Sequence, residues 1–423
     1  MKRPVSVVAI FVVSFLSVLA GAAHSSEMKT LETFCDLKGF DSPLRQTVVV
    51  IDGRLIAPEH AESGINPKNR VWREFIANLT NARDPSIHQR FAPRERVTVA
   101  IAAGDGSGVR NAFTGCLPSY SKNEISLMKK GQSSVGAFFT GGVESRLKGQ
   151  ADTFRQALLV ALAEAAQKIH EGGASGKKHE DFVDSEFVSS LSKGVGISQE
   201  NGIPRFVIFS ELGNYQFPRG DVPSVKKEGR KEGEVSGMNL MGAEVHLVGV
   251  PPSNGKTTSE YLKSFFLSAK GNVVTLTGID GTLNSVRAPV SVAVYQGLIK
   301  YPDGPATMRV RLALDRNGTA VNSWAEVISD RRRFTPFGGV LTCSTEKNCS
   351  FVGDRIFAQV WSDDPSPDPE FATWMPFGGF REFSFTLKDG NGISGTISDQ
   401  SGYVPGMEKG LPFELHKVKN GRF

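Results

Sequence analysis

The chain has 423 residues, 39% apolar and 22% charged, with 45 Gly, 22 Pro and 28 Phe. That composition excludes a collagenous or low-complexity chain and leaves room for two or three globular domains. A formal charge of +5 is too mild to argue for nucleic acid as a partner.

The first residues speak to compartment. Lys2 and Arg3 precede an uncharged apolar run, Val5 to Leu19, and Ala20-Gly21-Ala22 fits the small-x-small pattern of a cleavage site. Residues 1–22 therefore read as an export signal. The run is near the lower limit for crossing a bilayer, so a retained anchor is the alternative. Removing Lys2 and Arg3 takes the charge from +5 to +3. No later run is apolar enough to span a membrane, so a periplasmic or secreted protein is expected, with no membrane span after signal removal.

Thr47–Ile51 is a continuous apolar strand of the kind buried on both faces, and it runs into Asp52. Asn66-Pro67 opens a helix with Val71, Trp72, Phe75, Ile76 and Leu79 on one face. Val97–Ala102 is a second buried strand, followed by the glycine-rich turn Gly104–Gly108. Asn111–Leu117 reads as its hairpin partner. A helix is expected from about Asp152 to Ile169, striped by Phe154, Leu158, Ala161, Leu162, Ala165 and Ile169. Then follow strand Arg205–Phe209, a charged loop Gly213–Gly237, strand Ala243–Val250, helix Ser259–Ala269 and strand Asn272–Thr277. Strands alternating with helices imply an α/β, doubly wound, mostly parallel sheet over residues 30–280. Ligands of such sheets bind at the carboxyl ends of the strands, where Asp52 lies.

From about Leu283 the helical stripes vanish. Residues 308–329 alternate apolar and polar around Asn317-Gly318, a hairpin turn, and residues 382–398 do the same around Gly390–Gly392. "PFGG" occurs at Pro336–Gly339 and again at Pro376–Gly379, as equivalent turns would. Residues 284–423 are expected to form a separate all-β, sandwich-like domain.

Four cysteines in an exported chain favour disulfides. Cys343 and Cys349 flank turn-forming residues and fit a hairpin staple, leaving Cys35 with Cys116. Free buried thiols are the alternative. No CxxC or His cluster supports zinc. The seven histidines are scattered, and mid-strand His246 reads as a satisfied core histidine. No G-x-S-x-G elbow is present. Arg219-Gly220-Asp221 spells an adhesive tripeptide by chance, and the acidic Asp363–Glu370 reads as a solvated loop.

The order of elements from Thr47 to Gly278 resembles a von Willebrand factor A-type domain. "TVVVIDGRLI" stands where that family has its first strand and D-x-S-x-S. "ADTFRQALLVALAEAA" stands at its Thr and Ala-Leu helix, "IPRFVIFSELG" at its strand ending in T-D-G, and "AEVHLVGV" at its closing strand. The resemblance implies one divalent cation held by oxygen ligands. Carried over, it gives a damaged site. Asp52 matches, but Arg54 and Ile56 replace the two serines, and Arg54 would repel a cation. Thr153 matches the loop Thr and Glu211 the Asp of T-D-G. Asp52 is therefore expected to hold Arg54 or backbone amides, without a metal. The implied function is a non-enzymatic module that binds a protein of the bacterial envelope at an edge near Asp52, Arg54, Asp105, Thr153 and Glu211, with no cofactor. Alternatives are adhesion dependent on Mg²⁺ or Mn²⁺ at the same face, and a hydrolase assembled only in the fold.

Overall fold

The computed structural model describes residues 35, 44–55, 74–77, 91–92, 94–102, 109–120, 122–131, 142–173, 203–212, 217–250, 255–278, 288–301, 304–329, 332–345, 348–353, 356–359, 378–388, 391–399 and 408–418. The export signal, Asp105 and its glycine-rich turn, Ile56 and the acidic loop Asp363–Glu370 lie outside these residues.

The first sheet has six strands: β1 (Arg45–Asp52), β2 (Arg96–Ala102), β3 (Val109–Cys116), β4 (Ile203–Phe209), β5 (Ala243–Gly249) and β6 (Gly271–Gly278), in the order β3-β2-β1-β4-β5-β6. All neighbours are parallel except β2 and β3, so the sheet is mixed. β1, β4 and β5 are buried along their whole length, because both faces are covered by helices and their apolar runs need not alternate. One face packs Val49, Ile51, Val99, Val207 and Phe209 against Phe75, Phe91 and the Phe154, Leu158 and Leu162 stripe of a long helix. The other packs Val48, Val50, Phe206, Val245 and Leu247 against Val225, Tyr261, Leu262 and Phe265 of two later helices.

Besides a single helical turn at residues 74–77, four helices accompany the sheet among the described residues: α1 (Lys122–Lys130), α2 (Gly142–Gly173), α3 (Val222–Val235) and α4 (Gly255–Ser268). α1 stands where the sequence reading placed no element, and two more differ from the expectation. α2 begins at Gly142, ten residues before Asp152. α3 occupies most of what reads as a charged loop. Its cap is Asp221, whose carboxylate accepts from the Ser224 amide at 2.9 Å. The Asp of the Arg-Gly-Asp tripeptide is thus a helix cap. Gly229 and Gly233 explain how α3 lies so close to α4: a Cβ at either would fall 2.5 Å from the Tyr261 carbonyl oxygen or 2.3 Å from that of Phe265.

The second sheet is entirely antiparallel and has ten strands. They are β7 (Ser291–Tyr301), β8 (Gly304–Leu314), β9 (Ser323–Ile328), β10 (Arg332–Phe337), β11 (Gly339–Thr345), β12 (Asn348–Gly353), β13 (Ile356–Gln359), β14 (Gly378–Lys388), β15 (Gly392–Asp399) and β16 (Leu411–Lys417). The path runs from β10 to β11, yet these two end strands are joined through Gly338 alone, inside the first "PFGG". The amides of Leu341 and Ala320 bond the carbonyls of Gly318 and Gly339, both at 2.8 Å. The sheet therefore curls until its ends meet, nearly as a barrel. Its inner face is filled by Tyr295, Met308, Phe337, Phe351, Phe383, Phe385 and Phe413, with Phe351 and Phe385 stacked 4.5 Å apart. At the β8–β9 turn Gly318 takes a φ of +76°, and Asp315 accepts from the amides of Asn317 and Thr319 at 2.8 and 2.9 Å.

Both expected disulfides are formed, Cys35–Cys116 and Cys343–Cys349. Among the described residues no helix is long and apolar enough to cross a membrane.

Candidate functional site

Strand order reverses between β1 and β4, and in open α/β sheets ligands sit at the carboxyl ends beside such a point. Asp52 ends β1 there, 2% exposed. Ile51 pairs with Phe209, which sets Asp52 alongside Ser210, the first residue after β4. Ser210 Oγ donates to Asp52 Oδ2 at 2.9 Å. A buried strand can end on a carboxylate because a neighbouring hydroxyl meets it. The Ser210 amide is tied to the Val248 carbonyl at 3.0 Å. Gly249 permits that approach, since a Cβ there would lie 2.4 Å from the Ser210 carbonyl oxygen.

Of the residues expected at this edge, Asp52 and the half-buried Glu211 stand on it. Arg54 belongs to the short 3-10 turn Gly53–Leu55, but its side chain lies outside the described set, as does Asp105. Thr153 is not in a loop. It stands about three turns inside α2, because the polar segment before it is helical. One partner of Asp52 is Ser210, to which the sequence reading gave no role; the signal for it is the strand register alone. The Ser210 hydroxyl donates its proton to the carboxylate and keeps its own lone pairs, and Thr153 is held within a helix. Among the described residues no three His, Cys, Asp or Glu side chains gather to hold a metal ion.

At the opposite, amino edge lies a buried charge assembly that sequence reasoning missed. Register puts Thr47 beside Arg205 and Arg205 beside Glu244. Glu95, fully buried, accepts from Arg45 Nη2 at 3.0 Å, from Arg205 Nη2 at 3.2 Å, from the Ala92 amide at 2.7 Å and from Thr47 Oγ1. Burial works to raise the Glu95 carboxyl, but the two guanidinium groups and these hydrogen bonds outweigh it and hold it below its ordinary range. Arg205 also lies 4.8 Å from the centre of the Phe91 ring, and burial, with Arg45 nearby, pulls it down to about 10, which leaves it cationic at neutral pH. Burial raises the Glu244 carboxyl against the pull of Arg45, Arg205 and Arg311. His246 is also only half of what was expected: Nδ1 lies 3.0 Å from Thr275 Oγ1, while Nε2 has no hydrogen-bond partner. The missed signal is that "RQTVVV", "ERVTVA", "PRFVIF" and "AEVHLV" each carry a charge at the start of an apolar strand.

The β-sheet domain docks on this edge through Arg311 of β8, 5% exposed. Its Nη1 donates to the Met241 carbonyl at 3.1 Å and its Nη2 to that of Gly242 at 2.6 Å. Arg311 lies 5.3 Å from the centre of the Trp324 ring. Trp324 packs on Gly242, where φ is +75° and a Cβ would meet the indole at 2.2 Å. Asn322 Nδ2 donates to the Pro204 carbonyl at 3.2 Å, and Lys270 pairs with the buried Glu326 at 2.8 Å.

No protein-family model matches the chain, and no curated protein matches it.

Proposed function

We propose that the chain is an exported, non-enzymatic recognition protein of the cell envelope. Its α/β half is a doubly wound domain of the von Willebrand factor A type, and its carboxyl edge around Asp52, Ser210 and Glu211 is the binding face for a protein partner. The observation that carries this reading is the placement of the second domain. Arg311, Trp324 and Asn322 occupy the amino edge of the sheet, so the β-sheet domain backs the α/β domain from the end opposite the strand-order reversal. The two disulfides fit an oxidising compartment. On this reading the edge works without a metal, with the Ser210 hydroxyl donating to Asp52.

The test is a thermal titration of the mature protein with Mg²⁺ and Mn²⁺. A cation bound at a hundred times its Kd would add about 2.7 kcal/mol, or about 5–10 °C for a domain of this size. The expected result is a melting temperature that stays the same in chelator and in either cation. A rise of that size, abolished by Asp52→Asn, would establish the cation-dependent alternative.

A further inference from the structure

β6 meets β5 through an irregularity. Val245 pairs with Val273, but His246 pairs with Thr275, so Val274 is an extra residue, turned outward and 43% exposed. Such a bulge re-aims the side chains beyond it. With regular pairing Val274 would oppose His246. The extra residue instead brings Thr275 onto the face of Glu244 and His246, and alternation puts Thr277 there too. The result is a polar row inside a packed sheet. Glu244 is 5% exposed and His246 1%. Glu244 Oε2, His246 Nε2 and Thr277 Oγ1 are fully enclosed and have no hydrogen-bond partner.

We propose that Glu244 Oε2 and His246 Nε2 hold one internal water molecule between them. The two atoms are 4.0 Å apart, too far for a direct hydrogen bond. A single oxygen at about 2.8 Å from each spans that gap. Buried waters sit where two to four polar groups converge, and Glu244 Oε2 and His246 Nε2 supply two of them. The chemistry selects a small neutral molecule that can both donate and accept. A cation would face Arg45, Arg205 and Arg311, and an anion would face Glu244 and Glu95. His246 is neutral at physiological pH: burial first, then Arg205 and Arg45, bring it down to about 3. A neutral imidazole offers one donor and one acceptor, so it suits a bridging water better than a direct ion pair with the carboxylate.

A crystal structure of the full mature chain at neutral pH, beside imidazole ¹⁵N spectra of the same protein and of Glu244→Gln, tests this. The expected outcome is one ordered water within hydrogen-bond distance of both atoms, and a His246 ring that is neutral in the wild type and unchanged in charge in Glu244→Gln. A direct Nε2–Oε2 contact below about 3.2 Å with an imidazolium signal that Glu244→Gln abolishes would overturn it. So would a bound ion at that position, or two side chains at 4.0 Å with nothing between them.

Discussion

Glu95 is the carboxylate on which the amino edge depends, and Glu95→Gln isolates its charge. The side chain is fully buried and faces Arg45 at 3.0 Å and Arg205 at 3.2 Å. The amide keeps the shape and one acceptor oxygen but leaves two enclosed guanidinium groups without their shared counter-charge. Breaking a buried ion pair from one side costs about 3–5 kcal/mol. At about 2–4 °C per kcal/mol the first unfolding transition should fall by about 6–20 °C. Differential scanning calorimetry at pH 7 reads this directly. The pH dependence supplies a second reading. Because the folded carboxyl titrates below its unfolded value, its contribution is present above the ordinary carboxylate range and is lost as pH falls through the folded value. Glu95→Gln should therefore flatten the acid limb of the stability profile. Replacing the triad as a whole, Glu95→Leu with Arg45→Met and Arg205→Met, should restore most of the loss, since an apolar set of similar volume is often as stable as a buried ionic one. A loss under about 1 kcal/mol, the ordinary scale of an exposed pair, would refute the assignment of Glu95 as the charge centre.

Gly233→Ala should destabilise by about 1–3 kcal/mol in calorimetry through overpacking against the Phe265 carbonyl, although Ala favours a helix by about 1 kcal/mol; a gain in stability would show that α3 is free to shift. Arg311→Ala should leave both halves folded by circular dichroism while limited proteolysis cuts between them faster, because five hydrogen bonds are lost, two across the joint to Met241 and Gly242 and three beside it to Asn322. Replacing Cys35 and Cys116 by Ser should cost about 4.5 kcal/mol, against about 2 for Cys343 and Cys349, since the closed loops span 81 and 6 residues. His246, neutral in the fold down to about 3, adds stability that is complete above its unfolded value of about 6.5 and lost as pH falls toward 3. His246→Gln should thus weaken the decline between about pH 6.5 and 4 in equilibrium urea titrations.

Much of the fold was legible in the chain because the central strands are buried on both faces. Runs such as "TVVVI" and "RFVIF" leave little ambiguity, and the change to period-two alternation marks the second domain. α1 was invisible because none of its residues is buried, so no apolar stripe exists to read. α3 was hidden by Gly229 and Gly233, which read as loop residues but serve close helix packing. The start of α2 was lost in the polar "GVESRLKGQ". Asp52 could be picked out as a carboxylate at a strand end, whereas Ser210 is its partner only through the β1–β4 register, which no local pattern encodes. The Arg45–Glu95–Arg205 assembly joins residues 50 and 110 positions apart, a distance at which charge patterning along the chain is silent.

The most direct measurement of the proposed binding face is site-specific photocrosslinking in the cell envelope. A photoreactive residue replacing Glu211, at the carboxyl edge, should give a discrete adduct with one protein partner that persists in chelator. The same residue replacing Lys409, in the turn before β16, should give none. An adduct at residue 409 and none at 211, or an adduct at 211 that vanishes with EDTA, would contradict recognition through a metal-free carboxyl edge.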